Sequence, residues 1–147
     1  MAANTTPVYG RTPNISSVLV TAANTSSQGG GTVGTDIFLA YTAGSNGSYV
    51  RKVRFIPAAS TPTTTTATVG RVFISSVNTG STASTDTFLH AEQTLPAIGA
   101  ANASTGVSHF DVIVEEPLEA GQTILVTNHA APAANSAWRA TVYGMDF

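Results

Sequence analysis

Hydrophobic positions along the chain come in short runs separated by dense punctuation. Segments rich in Val, Ile, Thr, Phe and Tyr lie at residues 15–22, 36–42, 49–56, 68–75, 87–93, 107–115, 123–127 and 138–145, each bounded by Gly, Pro, Asn or Ser. No window keeps a 3.6-residue apolar period, so the pattern predicts strands and no long helix. Only the alanine-rich stretch 96–105 offers room for a helical turn. Eight short strands in one chain predict an all-β, antiparallel β-sandwich, most simply a single eight-stranded jelly roll. In 108–114, Phe110, Val112 and Val114 alternate with His109 and Asp111, the pattern of a strand with one buried and one wet face. Ile37-Phe38-Leu39 and Phe88-Leu89 instead place large apolar groups on both faces. Their second face must be covered by a loop, a neighbouring strand or another subunit.

The breaks themselves carry conformational information. Asn46-Gly47 between 36–42 and 49–56 is a hairpin signal because both residues accept positive φ. Residues 117–121, ending in Gly121, read as a second hairpin, and 129–135 joins the last two strands. The run Gln28-Gly29-Gly30-Gly31 reads as loose, since glycine loses the most entropy on ordering, and the threonine run 60–66 reads as an extended exposed loop. Pro7 and Pro13 punctuate an extended N-terminal arm over 1–14, leaving 15–147 as the β-sandwich domain.

Composition changes the picture at one point. Charged residues make up 10% of the 147, against about 25% in an ordinary soluble domain, while Thr, Ser, Ala, Gly and Asn supply 80. With 42% hydrophobic residues and a net charge of −2, the chain reads as folded, with a hydroxyl-rich rather than ion-rich surface. Such a surface suits close contact, because Ser, Thr and Ala lose less on desolvation than Lys or Glu. A single lysine, Lys52, and the negative net charge give no electrostatic footprint for nucleic acid. There is no cysteine, no basic-then-apolar leader and no apolar run near the ~18 residues of a membrane span, so the expected protein is made in the cytoplasm and has no membrane partner.

Catalytic patterns are missing. His90, His109 and His129 form no H-x-H or H-x-x-x-H pair, and the glycine run precedes no Lys-Ser/Thr. No G-x-S-x-G occurs. The one acidic cluster, Glu115, Glu116 and Glu119, sits at a strand end where solvated carboxylates are ordinary. The expectation is a non-enzymatic chain with no cofactor and no metal. Arg51, Lys52 and Arg54 share one strand, with Arg71 on the next, and form a candidate patch for an acidic partner or a charged edge that resists strand pairing. Trp138 and Tyr143 read as core, and Phe147 as an interface plug or a docked tail.

Several segments resemble a family of small head-associated, capsid decoration-type virion proteins of tailed bacteriophages. They are Asn4-Thr5-Thr6-Pro7, the stretch 21–25 before the glycine run, 42–48 leading into Val50-Arg51-Lys52-Val53-Arg54-Phe55, 118–122, 127–129 and the closing Tyr143-Gly144-Met145-Asp146-Phe147. The similarity spans nearly the whole chain, with Glu119 standing where that pattern often has Pro. The resemblance implies a β-sandwich on the outside of the virion head, commonly trimeric, that binds the major capsid protein and copies of itself. It carries no catalytic residues. Within that reading the candidate interface residues are Thr6, Pro7, Tyr9 and Arg11 in the arm, then Arg51, Lys52, Arg54 and Phe147, because aromatics and arginine dominate interface energetics. The rival reading is a carbohydrate-binding, fibre-tip or tail module of the same architecture.

Overall fold

Each β-prone run forms a strand in the computed structural model, which describes residues 10–59, 64–99 and 106–147. In chain order the strands are β1 (Thr12–Val20), β2 (Gly31–Thr32), β3 (Phe38–Thr42), β4 (Ser48–Ala59) and β5 (Thr68–Ser75). They continue with β6 (Ser81–Thr82), β7 (Thr87–Leu95), β8 (Phe110–Leu118), β9 (Thr123–Asn128) and β10 (Ser136–Asp146). The two-residue ladder β2-β6 adds to the eight expected strands. No helix occurs among the described residues; 96–99 are irregular, and the rest of the expected helical turn, 100–105, lies outside them.

The long strands make two antiparallel four-stranded sheets, ordered β1-β10-β4-β8 and β3-β9-β5-β7. The sheets pack face to face in a sandwich-like, all-β arrangement. Alternation builds the shared core: Trp138, Ala140 and Val142 point inward from β10, as do Val53 and Phe55 from β4 and Val112 and Val114 from β8. They meet Phe38, Val72, Ile74, Ile124 and Val126 from the second sheet. Phe110 stands edge-on to Trp138 with ring centroids 5.9 Å apart. Each fully buried Val, Ile or Phe among them contributes roughly 1.5–3 kcal/mol when taken out of water.

Two turn readings need correction. Asn46-Gly47 and 117–121 do reverse the chain: Gly47 has φ 86° and donates to the Gly44 carbonyl at 3.0 Å, and Gly121 has φ 79°. Neither closes a hairpin. The first carries the chain from β3 to β4 and the second from β8 to β9, each time from one sheet to the other. Positive φ fixes a reversal but not which strand accepts the returning one. Among successive long strands, only β5 and β7 pair directly.

Both stretches read as loose are partly packed. Gly31 lies in β2, and the Gly29 carbonyl accepts the Thr82 hydroxyl at 2.6 Å. A Cβ on Gly29 would fall 2.8 Å from the Thr87 carbonyl oxygen, and one on Gly31 would fall 2.5 Å from the Asn24 amide nitrogen. The glycines are there because the backbone is pressed against neighbours. In the threonine run, Thr65 is buried and exchanges hydrogen bonds with Ile98 in both directions at 2.9 Å, whereas 60–63 lie outside the described residues. At the chain start, Thr12, Pro13 and Asn14 open β1 against Asp146, Met145 and Gly144, inside the span read as the arm.

The two-faced strands find different covers. Ile37, Phe73 and Leu125, all fully buried, form a second small core on the outer side of the β3-β9-β5-β7 sheet, with Val33 and Leu39 packed against it. The cover comes from the chain's own excursion between β1 and β3. Phe88 and Leu89 have no such lid and stay exposed at 55% and 36%.

Candidate interaction surface

The outer face of the β1-β10-β4-β8 sheet gathers most of the chain's cations beside large apolar groups. Strand register sets Ile15, Tyr143, Lys52 and Ile113 in one transverse row. Ser17, Thr141, Arg54 and Asp111 form the next row, and Leu19, Arg139 and Ile56 a third. Ile15 and Ile113 are 60% and 58% exposed, and Leu19 and Met145 also stand in solvent.

The Asp111 carboxylate holds the middle of this face. Arg54 grips it with two hydrogen bonds, Nε at 2.7 Å and Nη2 at 2.9 Å, and Lys52 Nζ donates to it at 2.7 Å. Both cations lie over the Tyr143 ring, 5.3 Å and 5.6 Å from its centroid, within cation–π range. The Arg54 hydrogen bonds chiefly hold the Asp111 carboxyl well below the usual carboxylate range; burial opposes them and Lys52 adds to them. The same pairing raises Arg54 above its ordinary value. These groups are a quarter exposed, so Asp111→Ala should cost only about 1 kcal/mol in a denaturant melt, as expected of a partly exposed ion pair. A loss above about 3 kcal/mol would make the cluster a main support of the fold instead.

Arg51 sits at the irregularity between Val50 and Lys52, exposed and with no ion pair among the described residues. Arg139 is likewise exposed and unpaired there. The face therefore carries Arg51, Lys52, Arg54 and Arg139, with Asp111 as the carboxylate that pairs with two of them, on a chain whose net charge is −2. Arg71 does not belong with them. It lies on the other sheet, nearly fully buried, where it binds Glu92 at 2.6 Å, the Asn24 carbonyl at 3.0 Å and His129 Nδ1 at 3.0 Å. Successive strands placed on different sheets separate it from Arg51.

Of the remaining interface candidates, Thr6, Pro7 and Tyr9 lie outside the described residues. Arg11 is exposed, and its backbone N–H donates to the Asp146 carbonyl at 2.8 Å. Phe147 is half-buried against the 46–47 turn: its N–H donates to the Gly47 carbonyl at 3.2 Å, and Asn46 Nδ2 donates to its carbonyl oxygen at 3.4 Å. No group of three or more metal-ligating side chains occurs among the described residues. His109 is exposed beside an Asp111 already engaged by cations, and His90 Nε2 is 3.4 Å from the Ile113 carbonyl oxygen.

One polar centre has no counterpart in the sequence reading. The Asp146 carboxylate accepts hydrogen bonds from Asn14 Nδ2 at 2.9 Å, the Tyr41 hydroxyl at 2.9 Å and the Ser48 hydroxyl, joining β1, β3, β4 and β10. These donors, Ser48 first, hold the Asp146 carboxyl below its ordinary value. Its partners are 132, 105 and 98 positions away, so no local motif marks it.

Compared with models of known protein families, with curated proteins and with solved structures, the chain matches none.

Proposed function

We propose that this chain is a structural, non-catalytic virion protein, a decoration or stabilisation subunit that binds the outside of a tailed-phage head as an oligomer. Its two sheets are read as a jelly roll, which the strand orders β1-β10-β4-β8 and β3-β9-β5-β7 support. The carrying observation is the outer face of the first sheet. There Ile15, Leu19, Ile113 and Met145 stand in water among cations, on a chain otherwise poor in charge. Apolar groups gathered on one face favour protein contact over a free monomer. The segment resemblance supplies the kind of partner: the major capsid protein and further copies of this chain. Repetition across a shell adds avidity, so a modest area per contact suffices.

In this reading the segment before β1 grips the shell, with Thr6, Pro7 and Tyr9 as anchors. Because Thr12 and Pro13 pair with β10 and Arg11 bonds to Asp146, the informative truncation removes residues 2–9 and spares β1. That shortened chain should keep its β-type circular dichroism and melting point yet fail to co-sediment with capsids. Undiminished co-sedimentation would exclude the arm as the grip, and absence of the full chain from purified particles would overturn the virion reading itself.

A further inference from the structure

The basic face has an acidic, apolar counterpart at the opposite edge of the same sheet. There β8, the last strand of one sheet, runs beside β7, the last strand of the other, with His90 Nε2 reaching toward the Ile113 carbonyl. A cleft of about 320 Å³ opens at this corner, with Phe88, Pro117 and Ile74 as apolar walls and Glu116 and Glu119 at its rim. Neither glutamate has an ion pair among the described residues. Phe88 is 55% exposed, with Leu89 beside it.

We propose that the β1-β10 half of the basic face docks the β7-β8 corner of a second copy of this chain, with Arg139 seated between the second copy's Glu116 and Glu119. Charge chooses the occupant. Two such faces laid on each other would bring Arg51 and Arg139, exposed and without ion pairs among the described residues, against the same cations, a repulsive arrangement, so the symmetric face-to-face contact is disfavoured. The corner offers carboxylates where the face offers an arginine, and Phe88 where the face offers Leu19. Lys52 and Arg54 are already engaged by Asp111, and Arg51 lies on β4, so Arg139 is the cation of β1 and β10 without an ion pair among the described residues. Arginine suits such a seat, since its guanidinium pairs with carboxylates in a fork and its stem lies on apolar surface. Because β1 and β8 are opposite edges of one sheet, each copy keeps its own corner free for the next. The contact is head-to-tail, and it closes into a ring or runs on as a filament.

This inference rests on the reading of the chain as a homo-oligomer, and charge exchange in the full chain tests it. Arg139→Glu alone, or Glu116→Arg with Glu119→Arg, should each weaken self-association about 30-fold by sedimentation equilibrium, the loss that accompanies a mispaired interfacial charge. All three changes in one chain should restore association, and an equimolar mixture of the two partial variants should co-assemble in alternation at one-to-one stoichiometry. Circular dichroism and melting points matching the parent chain separate lost docking from lost folding. Parent-like association of the partial variants, or no recovery in the fully exchanged chain, would overturn the contact. So would a parent chain that stays monomeric throughout the micromolar range. Capsid co-sedimentation keeps the two readings apart: a chain that assembles as described but ignores capsids removes the virion reading and leaves this contact standing. A chain that binds capsids as a monomer does the reverse.

Discussion

Phe73→Ala is expected to destabilise the protein by about 3–5 kcal/mol and to open one part of the molecule more than the rest. Phe73 is fully buried on the outer side of its sheet, where with Leu125 it forms the floor under Ile37. Truncation removes the largest member of this second core and leaves a cavity that the sheet backbone cannot close. At roughly 2–4 °C per kcal/mol for a chain of this size, the melting point should fall by about 6–20 °C. The covering excursion keeps its own ties: Asn24 N–H to the Asn128 carbonyl at 2.7 Å, Val33 N–H to the Gly80 carbonyl at 2.9 Å and Thr32 N–H to Asp36 Oδ1 at 2.6 Å. Hydrogen exchange should therefore speed up most at 31–37, beyond the change elsewhere. The neighbouring variant Ile74→Ala, on the inner face and in the shared core, should accelerate exchange across both sheets instead. Identical exchange maps for the two variants would mean that the excursion is not held as a separate layer.

Asp146→Ala should cost about 3 kcal/mol, more than a surface carboxylate warrants. Tyr41 and Ser48 are almost fully buried, and the change strips an acceptor from both hydroxyls as well as from the Asn14 amide. Tyr41→Phe removes a donor without orphaning the carboxylate's other partners and should cost less, near 1 kcal/mol. The pH dependence has a defined sign. The folded Asp146 carboxyl titrates below its unfolded value near 4, so its contribution is present above that value and is lost as the pH falls toward the folded one. Asp111 acts in the same direction. The gap in melting point between the parent chain and Asp146→Ala should thus narrow between pH 5 and pH 2. At the other end, burial first, and the Asp146 charge with it, push the Tyr41 phenol up to about 12. Its neutral form stabilises the fold below pH 10, and that contribution is lost between about 10 and 12. Tyr41→Phe should flatten this alkaline limb. A constant gap at acid pH would show that the carboxylate is not the acceptor holding these strands.

Much of this fold was legible because its strand signals are local. β-branched and aromatic runs between Gly, Pro and Asn breaks located every long strand to within a few residues, and the alternation at 110–114 assigned the inner face of β8 before any partner was known. The same locality explains the misses. Asn46-Gly47 announced a reversal but could not say that β4 would join the opposite sheet from β3. Chain order sets Arg71 beside Arg51, Lys52 and Arg54, whereas sheet membership puts it on the far side, inside a polar cluster with Glu92 and His129. The Gly29-Gly30-Gly31 run reads as loose because two of the residues that pack it, Thr82 and Thr87, lie more than fifty positions away.

From the amino-acid order alone came an all-β chain, the location of its strands, and its low-charge, hydroxyl-rich character, all set by side-chain chemistry over a few residues. Tertiary structure decided which strands pair and which apolar faces the chain covers for itself. It also placed Asp146 among Asn14, Tyr41 and Ser48, and left Ile15, Leu19 and Arg139 facing outward. The physical reason is that an alternating strand reveals that it has two faces, while the cover for each face comes from whichever distant segment best buries apolar surface and satisfies backbone hydrogen bonds.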